Sequence, residues 1–174
     1  HYEWTPEEAA RFNNWIEDTR FVETEQFGLD WKGKKNKKST AMGPFQILNQ
    51  EGTGQTSFQT GLNRLGTAYR GLVGEAPDLV SDLYEEGSPE DMNYEQHKDW
   101  LLGNIWSQIK GSDETRELFT AVARGDLAAR LRLYKLHHSM GGTKKNREKA
   151  FKRASRLYRS RQEERDEERN TEYR

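Results

Sequence analysis

Apolar side chains recur three and four residues apart over most of the chain, the pattern of helices that each bury one face. Phe12, Trp15, Ile16, Thr19 and Glu23 fall on one such stripe, predicting a first helix from about residue 6 to about residue 24. Its start is marked by Thr5-Pro6-Glu7-Glu8: a capping hydroxyl, proline at the first helical position and a carboxylate three residues after the cap. Trp4 is placed to pack on Ala9 as a staple, and Gly28 stops the segment. Further stripes follow. Phe58, Leu62, Leu65 and Tyr69 predict a helix over about 57–72, and Leu79, Val80, Leu83 and Tyr84 a short one after Pro77. Ser88-Pro89-Glu90-Asp91 repeats the cap-plus-proline signature ahead of a long helix carrying Trp100, Leu101, Ile105, Trp106 and Ile109. Asp113 to Arg124 is another, with Gly125 as its C-cap. Asp126 then caps a helix whose face holds Leu127, Leu131, Tyr134 and His138, broken by Gly141-Gly142.

The final helix, about 144–168, keeps an apolar stripe only through Phe151, Ala154 and Tyr158. Beyond Arg159 it is polar on every face, so its end is expected to project or fray. Two stretches break the helical pattern. Asp30 to Thr40 is a loop holding Lys32, Lys34, Lys35, Lys37 and Lys38, and Ser39 to Leu48 is a short apolar island between loops. The predicted fold class is mainly α, divided as residues 1–142, one domain, and residues 143–174, a basic and then mixed-charge C-terminal helix.

Composition changes this picture in two ways. Leu, Ile, Val and Phe number only 30 of 174 residues, yet twelve Trp and Tyr offset them with large buriable rings. The net charge of −1 is also uneven: residues 143–174 hold twelve Lys/Arg and seven Asp/Glu, a local +5, which leaves −6 for the rest. No stretch approaches a membrane-spanning length of apolar residues, and none has the layout of a signal peptide. Without cysteine, thiolate metal sites and cysteine nucleophiles are excluded. The start at His1 suggests a processed protein or an excised domain.

The region that carries candidate chemistry is Glu23-Thr24 at the end of a helix, a polar loop, and then Ala41-Met42-Gly43-Pro44-Phe45-Gln46. This pair of motifs resembles the lysozyme-like lytic transglycosylases and goose-type lysozymes. In that superfamily a helix ends in a catalytic Glu followed by Ser or Thr, and an Ala-x-Gly-x-x-Gln segment forms the opposite side of the sugar-binding cleft. The resemblance covers about residues 6–140 and implies a two-lobed lysozyme-like fold, with a loop-rich small lobe and a helical large lobe. It also implies cleavage of peptidoglycan between N-acetylmuramic acid and N-acetylglucosamine. Glu23 is the implied acid, with Glu25 the alternative, since the spacing to Gln46 exceeds the family's by the length of the Lys-rich loop. The late Ala-Tyr-Asn-Ala-Gly signature is absent; Leu133-Tyr134-Lys135-Leu136-His137-His138-Ser139 stands there, with Tyr134 at the position of the tyrosine whose hydroxyl orients the Glu. Implied substrate contacts are Ser39, Met42, Gly43, Phe45, Gln46 and His138, with Trp31 in the intervening loop available to stack on a sugar.

Glycosidic cleavage needs a carboxylic acid that still holds its proton, hence one desolvated against apolar groups. The resemblance implies that this group protonates the leaving oxygen and then deprotonates the muramic acid 6-hydroxyl, giving a 1,6-anhydro product with no second carboxylate required. A hydrolytic muramidase is the runner-up, and Asp30 is the nearby carboxylate it would use. A non-enzymatic helical adaptor of a virion, binding through the basic C-terminal helix, is the competing class. Adjacent His137 and His138 point to different sides of a helix, and His97 has no companion in sequence, so neither a metal nor another cofactor is expected. Expected partners are peptidoglycan glycan strands and other virion proteins. Nucleic acid is not expected, because the total charge is −1 and the aromatics of the basic run, Phe151 and Tyr158, fit its core-facing stripe. A phage virion, or delivery from it to the bacterial envelope, is the expected location.

Overall fold

The computed structural model describes residues 4–28, 43–47, 92–108, 112–138 and 143–172. Among these the fold is mainly helical and has no strand. The helices are α1 (Pro6–Glu23), α2 (Tyr94–Gln108), α3 (Ser112–Ala123), α4 (Leu127–His137) and α5 (Lys144–Glu172), and a 3-10 turn at Glu25–Phe27 follows α1. The helices expected over 57–72 and after Pro77, and the lysine loop, lie outside the described residues.

Local chemistry sets the helix ends. The Thr5 hydroxyl accepts from the Glu8 amide while the Glu8 carboxylate accepts from the Thr5 amide, closing the expected capping box. Gly28 takes the left-handed conformation, at φ 68°, that ends the 3-10 turn. Asp126 caps α4 by accepting from the amides of Ala128 and Ala129. Before it, Gly125 (φ 94°) closes α3 as its amide donates to the Val122 carbonyl and the Asp126 amide to the Ala121 carbonyl, the paired bonds of a Schellman end. One expectation changes: a reciprocal box between Asn93 and Gln96 opens α2, five residues after the Ser88-Pro89 signature. Trp4 lies against the ring of Phe12, 5.0 Å away, with its indole nitrogen 3.4 Å from the Thr120 hydroxyl.

Helix α1 packs on α3 and α5, and α4 packs on α2, α3 and α5. The core these helices share is aromatic. Trp15 and Tyr134 are wholly buried, with Phe12, Phe119, Leu101, Ile105, Leu133, Ala154 and Tyr158 around them. Two of the buried rings are tied in through their polar atoms: the Trp15 indole donates to the Arg130 carbonyl at 3.2 Å, and the Tyr158 hydroxyl lies 2.7 Å from that of Thr19. Ala154 and Tyr158 bring α5 into the same core, as their stripe predicted.

The turns of α5 just beyond Arg159 do not project, while residues 166–171 stay exposed. Asp18 of α1 is fully buried, and Arg165 grips its carboxylate with two bonds of 2.5 Å while Arg161 adds a third at 3.2 Å. Arg130 of α4 approaches at 4.0 Å and donates to Gln162 of α5 at 2.6 Å. Burial lowers the Arg130 guanidinium from its usual value, against the opposing pull of Asp18. Arg161 also lies over the Phe21 ring, 5.1 Å from its centre. A helix with no apolar face beyond Arg159 is therefore held by charge pairing, which a hydrophobic stripe cannot report. Replacing Asp18 by Ala removes the anion from three guanidinium groups, and we expect a loss of about 3 kcal/mol. Urea unfolding measures it; a loss below about 1 kcal/mol contradicts this account of how α5 is anchored.

Candidate functional site at the end of α1

Helix α1 delivers Glu23 to the interior because Phe12, Trp15, Ile16, Thr19 and Glu23 repeat every three to four residues and the stripe stays buried to its end. Glu23 is 1% exposed, and Val22 and Thr24 beside it have no exposed surface. Helix α4 meets this end with Tyr134, also fully buried. Burial is the first cause holding the Tyr134 phenol well above its usual value, and the neighbouring Glu23 carboxylate is the second. Tyr158 of α5 completes the cluster; its ring stands edge-on to that of Tyr134 at 6.0 Å, and burial holds its phenol in the neutral form as well. A buried carboxyl group with two neutral phenols as electrostatic neighbours is thus assembled from α1, α4 and α5.

Glu25 is placed differently. It is exposed, and its carboxylate pairs with Arg20 at 2.6 Å. Of the two candidate acids, only Glu23 is withdrawn from water.

The segment from Gly43 to Gln46 is a turn. The Gln46 amide donates to the Gly43 carbonyl at 3.2 Å, and the Gln46 side chain folds back to donate to that same oxygen at 2.9 Å. One Gln46 side-chain hydrogen is therefore used within the turn. Gln46 itself takes a left-handed φ of 53°. Gly43 has φ 86° and lies against the buried imidazole of His97, so that a Cβ there would fall 2.7 Å from the His97 Cε1. Both the backbone angle and the close approach require glycine. Phe45 is wholly buried, with its ring 6.2 Å from that of Tyr94, so its side chain fastens the turn to the core. Tyr94 in turn donates to Glu17 of α1 at 2.5 Å, and burial, reinforced by Glu17, raises its phenol too.

Helix α4 joins the two parts. Tyr134 lies against Glu23, and His137, three residues on and so on the same face, bonds the Phe45 carbonyl through Nε2 at 2.8 Å. His138 stacks on the Tyr134 ring, 5.4 Å away and 7° from parallel. Consecutive turns of one helix thus hold the buried carboxylate and the glycine turn. Trp31, Ser39 and Met42 lie outside the described residues. Two residues of this arrangement escaped the sequence reading. His97 has no companion in sequence, and its neighbour in space is a glycine; His137 offers no metal pairing with His138, and it bonds a backbone carbonyl instead. A groove of about 700 Å³ between α3 and α4, lined by Leu118, Ala121, Arg132 and Lys135 among others, opens on the other face of α4. Among the described residues no group of three or more His, Asp or Glu is gathered as a metal ion would need.

The chain was compared with protein-family models, curated proteins and solved structures. None matches. The site therefore stands on its own geometry.

Two outcomes follow. Gly43→Ala is expected to cost at least about 2 kcal/mol, from the left-handed φ and the His97 contact together. His97→Ala in the same background should recover about 1 kcal/mol of it; a strictly additive double-mutant cycle would show that the contact does not matter. The second concerns Tyr94, Tyr134 and Tyr158. Each keeps its proton in the folded protein, while the unfolded chain releases it near pH 10. Their contribution is complete below that pH and falls as pH rises through it, by up to about 1.4 kcal/mol per unit for each phenol. Denaturation from pH 9 to 11.5 should show this decline, made shallower by Tyr158→Phe, and a flat profile would contradict it.

Proposed function

We propose that this chain cleaves the glycosidic bond between N-acetylmuramic acid and N-acetylglucosamine in peptidoglycan, with Glu23 as its acid and base in a lysozyme-like two-lobed fold. The observation that carries the reading is the placement of Tyr134 against Glu23. The resemblance assigned an orienting tyrosine to that position from the sequence of α4, and burial beside a phenol favours a carboxyl group that keeps its proton, although Glu23, 1% exposed, meets a glycan only once the side chains over it part. The tether from His137 to the Gly43–Gln46 turn adds support, because it ties the second motif to the same end of α4.

In the proposed reaction Glu23 gives its proton to the oxygen that leaves with N-acetylglucosamine as the bond to C1 of the muramic acid breaks. The substrate's acetamido group assists at C1. Glu23 then takes the proton of the 6-hydroxyl, whose oxygen closes on C1, so the carboxyl group is restored and no water is consumed. The Gln46 carboxamide contacts the sugar acetamido group, and His138, beside Tyr134, borders the same site. Delivery to the bacterial envelope by a virion completes the proposal.

The test is digestion of purified sacculi followed by mass analysis of the released muropeptides. Anhydro ends are the expected product. Reducing ends, heavier by one water, would replace transglycosylation by hydrolysis, and no release by folded protein would overturn the enzymatic reading. Glu23→Gln should lower the rate by about 100-fold or more, the usual contribution of a general acid. Glu25→Gln should change it little; the reverse order would move the acid to Glu25.

A further inference from the structure

The peptide unit between Phe45 and Gln46 is held at both of its polar ends. Its carbonyl oxygen, on Phe45, accepts from Nε2 of His137 at 2.8 Å, and its N–H, on Gln46, donates to the Gly43 carbonyl at 3.2 Å. Turning that plane over would break both bonds. The wholly buried Phe45 side chain fastens the same unit to the core, and the His97 ring closes on Gly43 at the other end of the turn. Gln46 leaves this fixed plane at φ 53°, and among the described residues it is the one non-glycine residue with a positive φ. A side chain as long as glutamine's rarely enters that left-handed region, and it stays there only where its surroundings over-determine it. Here the two bonds do so. In this conformation the side chain folds back, and Nε2 of Gln46 donates to the Gly43 carbonyl at 2.9 Å, the oxygen that already accepts from its main-chain N–H. That bond sets the direction of the carboxamide.

We infer that His137 is a positioning residue for Gln46: its bond to the Phe45 carbonyl locks the Phe45–Gln46 peptide and thereby aims the Gln46 carboxamide at the acetamido group of an N-acetylated sugar. The identity of that sugar group rests on the glycan-cleaving reading, whereas the lock does not. An acetamido group presents one N–H and one carbonyl, and a carboxamide can answer both only when its plane is correctly turned. A glutamine free to rotate would lose that freedom on binding, and one already pinned through an N–H loses less. The lock therefore acts on binding, ahead of the chemistry. This separates His137 from Tyr134, which stands one turn earlier on α4 with Glu23 as its neighbour.

One of the two measurements that test this needs no substrate. A left-handed φ brings the amide and Hα hydrogens of a residue close together, so Gln46 should show a strong NOE between them, which a negative φ weakens. His137→Ala should weaken that NOE with the helical circular dichroism unchanged, and so should His137→Asn, whose amide falls short of the carbonyl. His137→Gln, whose amide nitrogen reaches the place of Nε2, should keep it. If the Ala variant does not fold, the comparison of Gln with Asn decides, and a strong NOE in the Asn variant would overturn the lock. On soluble glycan strands, His137→Ala and His137→Asn should raise KM about 10-fold, the effect of one misplaced hydrogen bond, and leave kcat within about 3-fold. His137→Gln should restore KM. A fall in kcat at constant KM would overturn the positioning of Gln46 and assign His137 to the support of Tyr134 instead. No cleavage by the unaltered protein would refute the glycan-cleaving reading and the aim of Gln46 with it, while the NOE would still decide the lock.

Discussion

A carboxylate without access to water has to be met by cations, and Asp18 imposes that condition on the middle of α1. The two bonds from Arg165, the third from Arg161 and the approach of Arg130 satisfy it. They also determine where α5 lies, because Arg161 and Arg165 are four residues apart and reach the same carboxylate only when the helix runs alongside α1. Charge pairing of this kind adds less net stability than apolar packing of equal volume, but it penalises every arrangement that leaves Asp18 unmet. The register of α5 on α1 follows. So does the position of Tyr158, which enters the cluster around Glu23 one helical turn before Arg161 and two before Arg165.

Specification and chemistry are thus separated along α5. Its inner face carries Ala150, Ala154 and Tyr158 and then the arginines that answer Asp18; its outer face carries exposed charged side chains. A similar division holds along α1, where Phe12, Trp15 and Ile16 supply packing in the first turns and Thr19 and Glu23 bring polar groups into the interior of the last ones. Both helices move from apolar to polar contacts along their length, and they run antiparallel where they touch, Arg165 reaching Asn14 and Asp18 while Tyr158 meets Thr19.

Periodicity and capping chemistry made α1, α3, α4 and the packed face of α5 legible, because each of these elements has an apolar stripe and a local end signal. Thr5 with Glu8, Gly125 and Asp126 act on their own neighbours in sequence, which is why they can be read without a fold. Asp18 could not be read that way. Its partners are more than a hundred residues distant, and a buried aspartate in a helix looks the same in sequence as a solvated one; the four-residue spacing of Arg161 and Arg165 was the available clue. The withdrawal of Glu23 rather than Glu25 was legible in the helical stripe, on which Glu23 falls and Glu25 does not. The contact of His97 with Gly43 was not anticipated, since what a glycine lacks becomes visible only when another side chain occupies the space.

The bond from His137 to Phe45 has a property that follows from its direction. A carbonyl oxygen only accepts, so Nε2 must be the nitrogen that bears hydrogen. Nδ1, buried on the other side of the ring, is then the bare nitrogen. A backbone carbonyl, rather than any side chain, thus selects the tautomer of His137. Changes to the side chain of residue 45 would leave that selection in place.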